Sequence, residues 1–302
     1  MNPIASASAS PSPSPFACVL DGHASLGEGP VWSLVEQVLY WVDINAPSLN
    51  RFDPATGANH VMPMPESIGC FALRRSGGFV AALRSGIWLI DRAGKLERKI
   101  ADAPYDQASH RFNDGRCDPQ GRFWAGSMNE HQPGATASLV RLDADGRLTE
   151  VVRGVSTSNG LAWSPDGRIM YHADTPTQTV RAYPFDPRTG EIGEGRTFMR
   201  FTMPGDRPDG AAVDSEGYYW IALYRGSAVV RLSPKGEVVA RHAIPASCPT
   251  MCAFGGPALT TLYVTSARQR LTDADLAREP QAGGLFSMVV DVPGLAEPLF
   301  AG

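Results

Sequence analysis

A two-part pattern recurs six times along this chain of 302 residues. Each copy has an apolar run after a turn signal and a second run that ends in a glycine turn. The apolar runs start 40 to 50 residues apart, at Leu39, Phe79, Phe123, Ile169, Tyr219 and Leu262. Only the segment around Ala274 predicts a short helix. Short strands at this period are typical of β-propellers, in which four-stranded blades surround an axis.

Six copies predict an all-β fold, a six-bladed β-propeller with four-stranded blades. Closing the ring removes the sheet edges that a linear array would expose. The segment "FACVL", residues 16–20, is expected to complete the last blade. Residues 1–15, rich in Ala, Ser and Pro, predict a disordered tail, and residues 16–302 predict a single propeller domain. Two stacked β-sandwiches are the alternative, although they do not require six copies in phase.

Composition limits the functions that the chain can have. Hydrophobic residues make up 43%, charged residues 19%, and the net charge is −4, so no nucleic-acid partner is expected. No apolar run approaches the ~20 residues that span a membrane, and the N-terminus lacks a signal-peptide pattern. We therefore expect a cytoplasmic protein with five free thiols. A closed propeller has no obligatory partner surface, so we also expect a monomer. Cys248 and Cys252 lack the second ligand pair of a zinc site.

Oxygen-bearing side chains recur at one position of the repeat. Ten or eleven residues before each apolar run the sequence has Glu28, Ile68, Asn113, Asn159, Asp209 and Met251. In a propeller these positions begin the innermost strands, so they converge at one mouth of the central channel. Glycine follows Glu28, Asn159 and Asp209 directly, which allows a ligand and the backbone to approach closely.

Two carboxylates in a confined channel suggest a metal site. Unpaired, Glu28 and Asp209 would repel each other and be costly to desolvate. With the amide oxygen of Asn159 they form an all-oxygen set suited to one divalent ion: Ca²⁺, Mg²⁺ or Mn²⁺, with Zn²⁺ also accommodated. Three protein ligands leave room for water and substrate. Alternatively, these side chains cap strand ends and bind channel water.

Four segments carry a family resemblance: "GEGPVW", "RFNDGRCDPQGRFWAGSM", "SNGLAWSPDGR" and "PDGAAVDSEGYYWIAL". In these segments, and in their order, the chain resembles the SMP-30/gluconolactonase/luciferin-regenerating-enzyme family. The resemblance spans nearly all of the chain after the tail. It implies a six-bladed propeller that hydrolyses sugar lactones, such as glucono-, xylono- or arabinonolactone, with one divalent metal in the channel.

The resemblance also implies residue roles. The family's metal ligands correspond to Glu28, Asn159 and Asp209, and Asp209 is also the expected general base. Its substrate-binding residues correspond to Arg111 and Asn113. After "GSM", where gluconolactonase-like members often carry an acidic pair, this chain has "NEHQPG". Glu130 is expected to keep part of that substrate-binding role, with His131 in place of the second acid, so the identity of the sugar is open.

Other functions fit parts of the same pattern. A metal-bearing propeller could act as a phosphotriesterase or another esterase, and a propeller could serve as a non-catalytic binding module. Such modules usually carry a Gly-His…Trp-Asp signature in each blade, which is absent here. No G-x-S-x-G or H-E-x-x-H motif occurs, so a serine-hydrolase route is disfavoured. His172 fits either the core or the channel, and we expect four aromatic residues to pack the blades: Trp41, Trp124, Tyr171 and Trp220.

Overall fold

The computed structural model describes residues 16–131 and 134–302 and contains six four-stranded antiparallel sheets. The predicted tail, residues 1–15, lies outside the described residues. A first short strand is β1 (Ala17–Leu20). Blade 1 then consists, from the innermost strand outward, of β2 (Gly27–Ser33), β3 (Val38–Asp43), β4 (Ser48–Asp53) and β5 (Ala58–Pro63). Blade 2 consists of β6 (Ile68–Leu73), β7 (Phe79–Leu83), β8 (Gly86–Ile90) and β9 (Leu96–Asp102).

The remaining blades follow the same order. Blade 3 consists of β10 (His110–Cys117), β11 (Phe123–Asn129), β12 (Ala137–Leu142) and β13 (Leu148–Val155). Blade 4 consists of β14 (Ser158–Trp163), β15 (Ile169–Asp174), β16 (Thr179–Pro184) and β17 (Arg196–Arg200). Blade 5 consists of β18 (Arg207–Val213), β19 (Tyr219–Tyr224), β20 (Ala228–Leu232) and β21 (Val238–Ala243). Blade 6 contains β22 (Pro249–Gly255), β23 (Thr261–Ser266) and β24 (Leu285–Val289). A 3-10 helix spans Thr175–Thr177 and the predicted short helix, α1, spans Asp273–Arg278.

The N-terminal strand closes the ring, and the C-terminal end of the described chain packs against blade 2. Strand β1 pairs antiparallel with β24, so that Cys18 lies opposite Phe286. Blade 6 therefore takes its outermost strand from the N-terminal side, which confirms the prediction for residues 16–20. At the C-terminal end, the amide of Phe300 donates to the carbonyl of Leu73 in blade 2 at 2.8 Å. The six-bladed, four-stranded, all-β prediction is confirmed.

A buried aspartate links a turn to the next strand in two of the blades. The Asp118 carboxylate accepts hydrogen bonds from the Arg122 amide at 3.1 Å and from the Trp124 indole at 2.9 Å. Asp214 likewise accepts from the Trp220 indole at 2.9 Å. These contacts satisfy a carboxylate that is removed from water. The D-x-x-G-x-x-W pattern in the sequence therefore specifies a turn-and-strand unit.

Aromatic side chains fill the space between blades. The ring centroids of Tyr171 and Tyr219, from blades 4 and 5, are 5.0 Å apart, and Trp124 of blade 3 meets Trp163 of blade 4 at 5.7 Å. Trp41 and Trp220 are buried as well. The predicted packing role of these aromatic residues is thus confirmed. The five cysteines are free, as expected, and the described part of the chain has no helix long and apolar enough to cross a membrane.

Candidate functional site

A bulge near the start of the innermost strands aims the candidate side chains. In β2 the register shifts between Glu28 and Val31, and in β14 it shifts between Asn159 and Ala162. A bulge inserts an extra residue and turns the strand locally. Gly160 adopts a left-handed φ of 61° there, and a Cβ on it would lie 2.5 Å from the Tyr219 hydroxyl oxygen. Glycine is therefore required at this position.

The innermost strands surround a cleft of about 540 Å³. All six residues selected from the sequence line it: Glu28, Arg111, Asn113, Glu130, Asn159 and Asp209. The two remaining equivalent positions are apolar, and Ile68 and Met251 are almost fully buried. At this repeated position, four blades therefore supply polar side chains, while blades 2 and 6 supply apolar packing.

A chain of hydrogen bonds fixes the two amides of the cleft. Arg111 Nη1 donates to Asn113 Oδ1 at 2.7 Å. Asn113 Nδ2 then donates to Asn159 Oδ1 at 2.7 Å and to the Ser158 carbonyl at 3.0 Å. Because guanidinium groups only donate, the amide oxygen of Asn113 must face Arg111. Asn159 Oδ1 keeps a second lone pair for another partner.

Thr175, which the sequence analysis missed, completes this chain. Its hydroxyl donates to the Pro208 carbonyl at 2.7 Å, so its oxygen accepts from Asn159 Nδ2, also at 2.7 Å. The amide of Asn159 is thereby held by one contact on each side. Thr175 begins a 3-10 helix after β15, outside the repeated position. In the sequence, only the position of Thr175 directly after Asp174, the last residue of β15, indicates this role.

The two carboxylates lie buried without adequate compensation. Burial, and secondarily the charge of Asp114, raises the pKa of Glu28 to about 8. Burial, and secondarily the charge of Glu28, raises the pKa of Asp209 well above its ordinary value. Among residues 16–131 and 134–302, only the Gly29 amide donates to Glu28, at 3.2 Å, and no donor reaches the Asp209 side chain. A bound cation would stabilise both groups in their charged forms.

The donor set fits a hard divalent cation. Glu28, Asn159 and Asp209 can offer two carboxylates and an amide oxygen, which are the ligand types of Ca²⁺, Mg²⁺ and Mn²⁺. The described residues contain no cluster of three or more His, Cys, Asp and Glu side chains arranged for a metal. The candidate site therefore depends on the amide as its third ligand and leaves further coordination positions to other molecules.

Arg111 and Glu130 form one charged unit at the edge of this set. Glu130 Oε1 lies 3.3 Å from Arg111 Nε, and Glu130 Oε2 lies 2.6 Å from Arg84 Nη2. Arg111 is buried in the cleft wall and is not a surface cation. Glu130 lines the cleft but is held by two arginines. His131 is exposed, and it does not line the cleft.

His172 belongs to the core beside the cleft. Its Nε2 lies 2.7 Å from Ser158 Oγ, and both side chains are buried. Burial lowers the pKa of His172 to about 4. The imidazole is therefore neutral at physiological pH, and of the two environments considered for it, the structure places it in the core.

The burial of His172 predicts a measurable acid sensitivity. The unfolded histidine binds a proton near pH 6.5, whereas the folded one resists protonation until about pH 4, so stability falls as pH decreases through this window. The full loss is about 3 kcal/mol. Urea unfolding at pH 7 and pH 4.5 should show a steeper loss for the wild type than for His172→Gln, which does not titrate. If the two proteins lose the same stability between pH 7 and pH 4.5, the buried, neutral state assigned to His172 is contradicted.

The fold and the cleft together define a class: a six-bladed propeller with an acidic, amide-containing site at one mouth of its axis. The family model described as "SMP-30/Gluconolactonase/LRE-like region" matches residues 26–268. This match covers most of the chain, and the chain belongs to this family.

Individual relatives are similar to this chain over nearly its full length. A 6-deoxy-6-sulfogluconolactonase of Pseudomonas putida is 48% identical over 94% of this chain and 98% of its own. YvrE of Bacillus subtilis (strain 168), named as a candidate sugar lactone lactonase, is 37% identical over 93% and 97%. Among solved structures, a calcium-binding regucalcin from Agrobacterium tumefaciens superposes with a TM-score of 0.90 at 31% identity, covering 94% of this chain and 97% of that one.

Proposed function

We propose that this protein is a divalent-metal-dependent hydrolase that opens a sugar lactone to its aldonic acid. The observation that carries the proposal is the convergence of Glu28, Asn159 and Asp209 from three blades on one cleft that also holds Arg111 and Asn113. The enzyme class, a hydrolase of the gluconolactonase type, agrees with the name of the Pseudomonas putida relative. The calcium-binding regucalcin supports a divalent ion in the same fold.

Each residue has a chemical task in this proposal. Glu28, Asn159 and Asp209 would hold the metal, which when bound supplies a Lewis acid for an ester carbonyl. Asp209 accepts the proton of the attacking water, because no donor in the described protein occupies its carboxylate. Among the described residues, none bonds Arg111 Nη2, which can donate to a substrate oxygen, while Asn113 and Glu130 hold the guanidinium in place.

The test is a hydrolysis panel in which acid release is followed by pH change. It compares D-glucono-, D-xylono-, L-arabinono- and D-galactonolactone, with and without a chelator, against spontaneous opening. We expect chelator-sensitive acceleration of at least one lactone. A protein that binds metal and accelerates no lactone contradicts the proposal and favours a phosphotriesterase or another esterase. A protein with neither metal nor activity favours a binding module.

Thr175 offers a test of how Asn159 is held. Thr175→Val keeps the shape of the side chain but leaves Asn159 Nδ2 and the Pro208 carbonyl without their shared partner. Loss of such an orienting contact typically weakens metal binding by about 10- to 100-fold. Calorimetric titration with Mn²⁺ or Ca²⁺ should show this loss, and Thr175→Ser, which restores the hydroxyl, should bind as the wild type does. Equal affinity of the valine variant would contradict the role assigned to Thr175.

A further inference from the structure

Two arginines at the cleft have no acidic partner. Arg207 and Arg270 both line the cleft and are exposed. Three other arginines near the cleft are paired with acids: Arg84 and Arg111 with Glu130, and Arg241 with Asp206 at 2.8 Å. In the part of the chain that the structure describes, neither Arg207 nor Arg270 has an ion pair or a side-chain hydrogen bond. Their guanidinium groups are therefore available to a ligand.

Local structure holds both arginines in place. Arg207 is the first residue of β18 and pairs with Tyr224. Asp209 lies two residues further along the same strand, and both side chains line the cleft. Arg270 adopts a left-handed φ of 61°, and Arg225 Nη2 donates to its carbonyl at 2.7 Å. Non-glycine residues take this conformation at a cost, and such residues cluster at ligand sites.

The neighbouring amides are already committed to the protein. Gln178 Nε2 donates to the carbonyls of Asp206 and Met203 at 2.8 and 3.2 Å. Asn45 Nδ2 donates to Gln269 Oε1 at 3.1 Å. Of the amides at this rim, those of Gln178 and Asn45 are therefore committed to the protein, and the charged donors left for a ligand are the two arginines.

The charge of the cleft also favours an anionic ligand. Its lining has three carboxylates, Glu28, Glu130 and Asp209, and three guanidinium groups, Arg111, Arg207 and Arg270. A divalent cation bound as proposed above gives the loaded site a net positive charge. Such a site attracts and orients an anionic substrate.

We infer that Arg207 and Arg270 form an anion subsite, and that the preferred lactone carries an acidic group at the end of the sugar remote from its carbonyl. A phosphate, a sulfonate or a carboxylate would each satisfy the two guanidinium groups. This inference rests on the proposed lactone hydrolysis and adds the substrate class. Arg207 and Arg270 act as specificity residues and take no part in the chemical step.

The experiment compares kcat/KM for neutral D-glucono-1,5-lactone with three acidic counterparts: 6-phospho-D-glucono-1,5-lactone, its 6-deoxy-6-sulfo analogue and D-glucaro-1,4-lactone. We expect the wild type to favour at least one acidic lactone by about 100-fold at low ionic strength. Each of Arg207→Gln and Arg270→Gln should lower the acidic-to-neutral ratio by about tenfold, as expected for one charge-assisted contact. The variant Arg200→Gln, exposed on the outermost strand of blade 4, should leave the ratio unchanged.

The outcomes separate this inference from the proposed function. A wild type that hydrolyses neutral and acidic lactones equally well overturns the anion subsite and leaves lactone hydrolysis intact. So does an equal loss on both substrates in the arginine variants. If no lactone is hydrolysed, calorimetric binding of 6-phospho-D-gluconate against D-gluconate still decides, because the subsite predicts tighter binding of the former that weakens in the double arginine variant and at high salt.

Discussion

Replacing Asp209 with alanine is expected to reduce chelator-sensitive lactone hydrolysis by about a thousandfold or more while the propeller stays folded. The substitution removes a proposed metal ligand and the proposed general base together, and contributions of this kind are each worth about 10²- to 10⁴-fold. The fold should survive because no hydrogen bond of the described protein ends on the Asp209 carboxylate. The measurement is kcat/KM on the best lactone, together with the melting temperature.

Two further variants sharpen this result. Asp209→Asn retains an oxygen ligand but cannot accept a proton. It should therefore bind metal measurably, yet hydrolyse the lactone much more slowly than the wild type. Asp291→Ala, at an exposed position outside the cleft, is the matched control and should retain wild-type turnover. Near-normal activity in a folded Asp209→Ala protein would remove Asp209 from the mechanism.

Replacing Glu28 with glutamine should abolish tight metal binding and, in the presence of chelator, stabilise the protein. Glu28 has its pKa raised to about 8 by burial and by Asp114, so the metal-free fold must protonate it at pH 7, whereas the unfolded chain does not. This cost is about 3 kcal/mol at pH 7, and it disappears as pH falls toward the ordinary value of 4.5. Glutamine avoids it entirely.

The readout is unfolding by urea in chelator and in excess metal. In chelator at pH 7 we expect Glu28→Gln to be more stable than the wild type, and the difference to shrink at pH 5. With metal the order should reverse, because only the wild type gains binding free energy. Glu194→Gln, which is exposed and away from the cleft, should match the wild type under both conditions. A variant that is less stable than the wild type in chelator would show that Glu28 is compensated by the protein itself.

The fold could be predicted because each blade repeats its own local signals. In two blades a tryptophan indole donates to an aspartate six residues earlier: Trp124 to Asp118 and Trp220 to Asp214. Both partners lie in one blade, so this sequence pattern can be recognised without knowledge of the other blades. Ring closure by residues 16–20 could be predicted from the number of strands, because the sixth blade would otherwise have only three.

The cleft could be predicted where its residues occupy the repeated position or where, as for Arg111 and Glu130, the family resemblance marks them. Glu28, Asn159 and Asp209 share one place in the blade and could be aligned from the sequence. Thr175, Arg207 and Arg270 could not, because their importance depends on what neighbouring blades bring beside them. That Arg207 has no acidic partner among the described residues, for example, is a property of the assembled mouth and cannot be seen in any local segment.

The most direct test of metal-dependent lactone hydrolysis is a titration of metal-free protein with Mn²⁺, in which bound metal and hydrolysis are measured in the same samples. We predict that activity rises in proportion to metal occupancy and saturates at one ion per chain, and that Glu28→Gln shows neither tight binding nor activity. Full hydrolysis by the metal-free protein, or activity that does not follow occupancy, would contradict it.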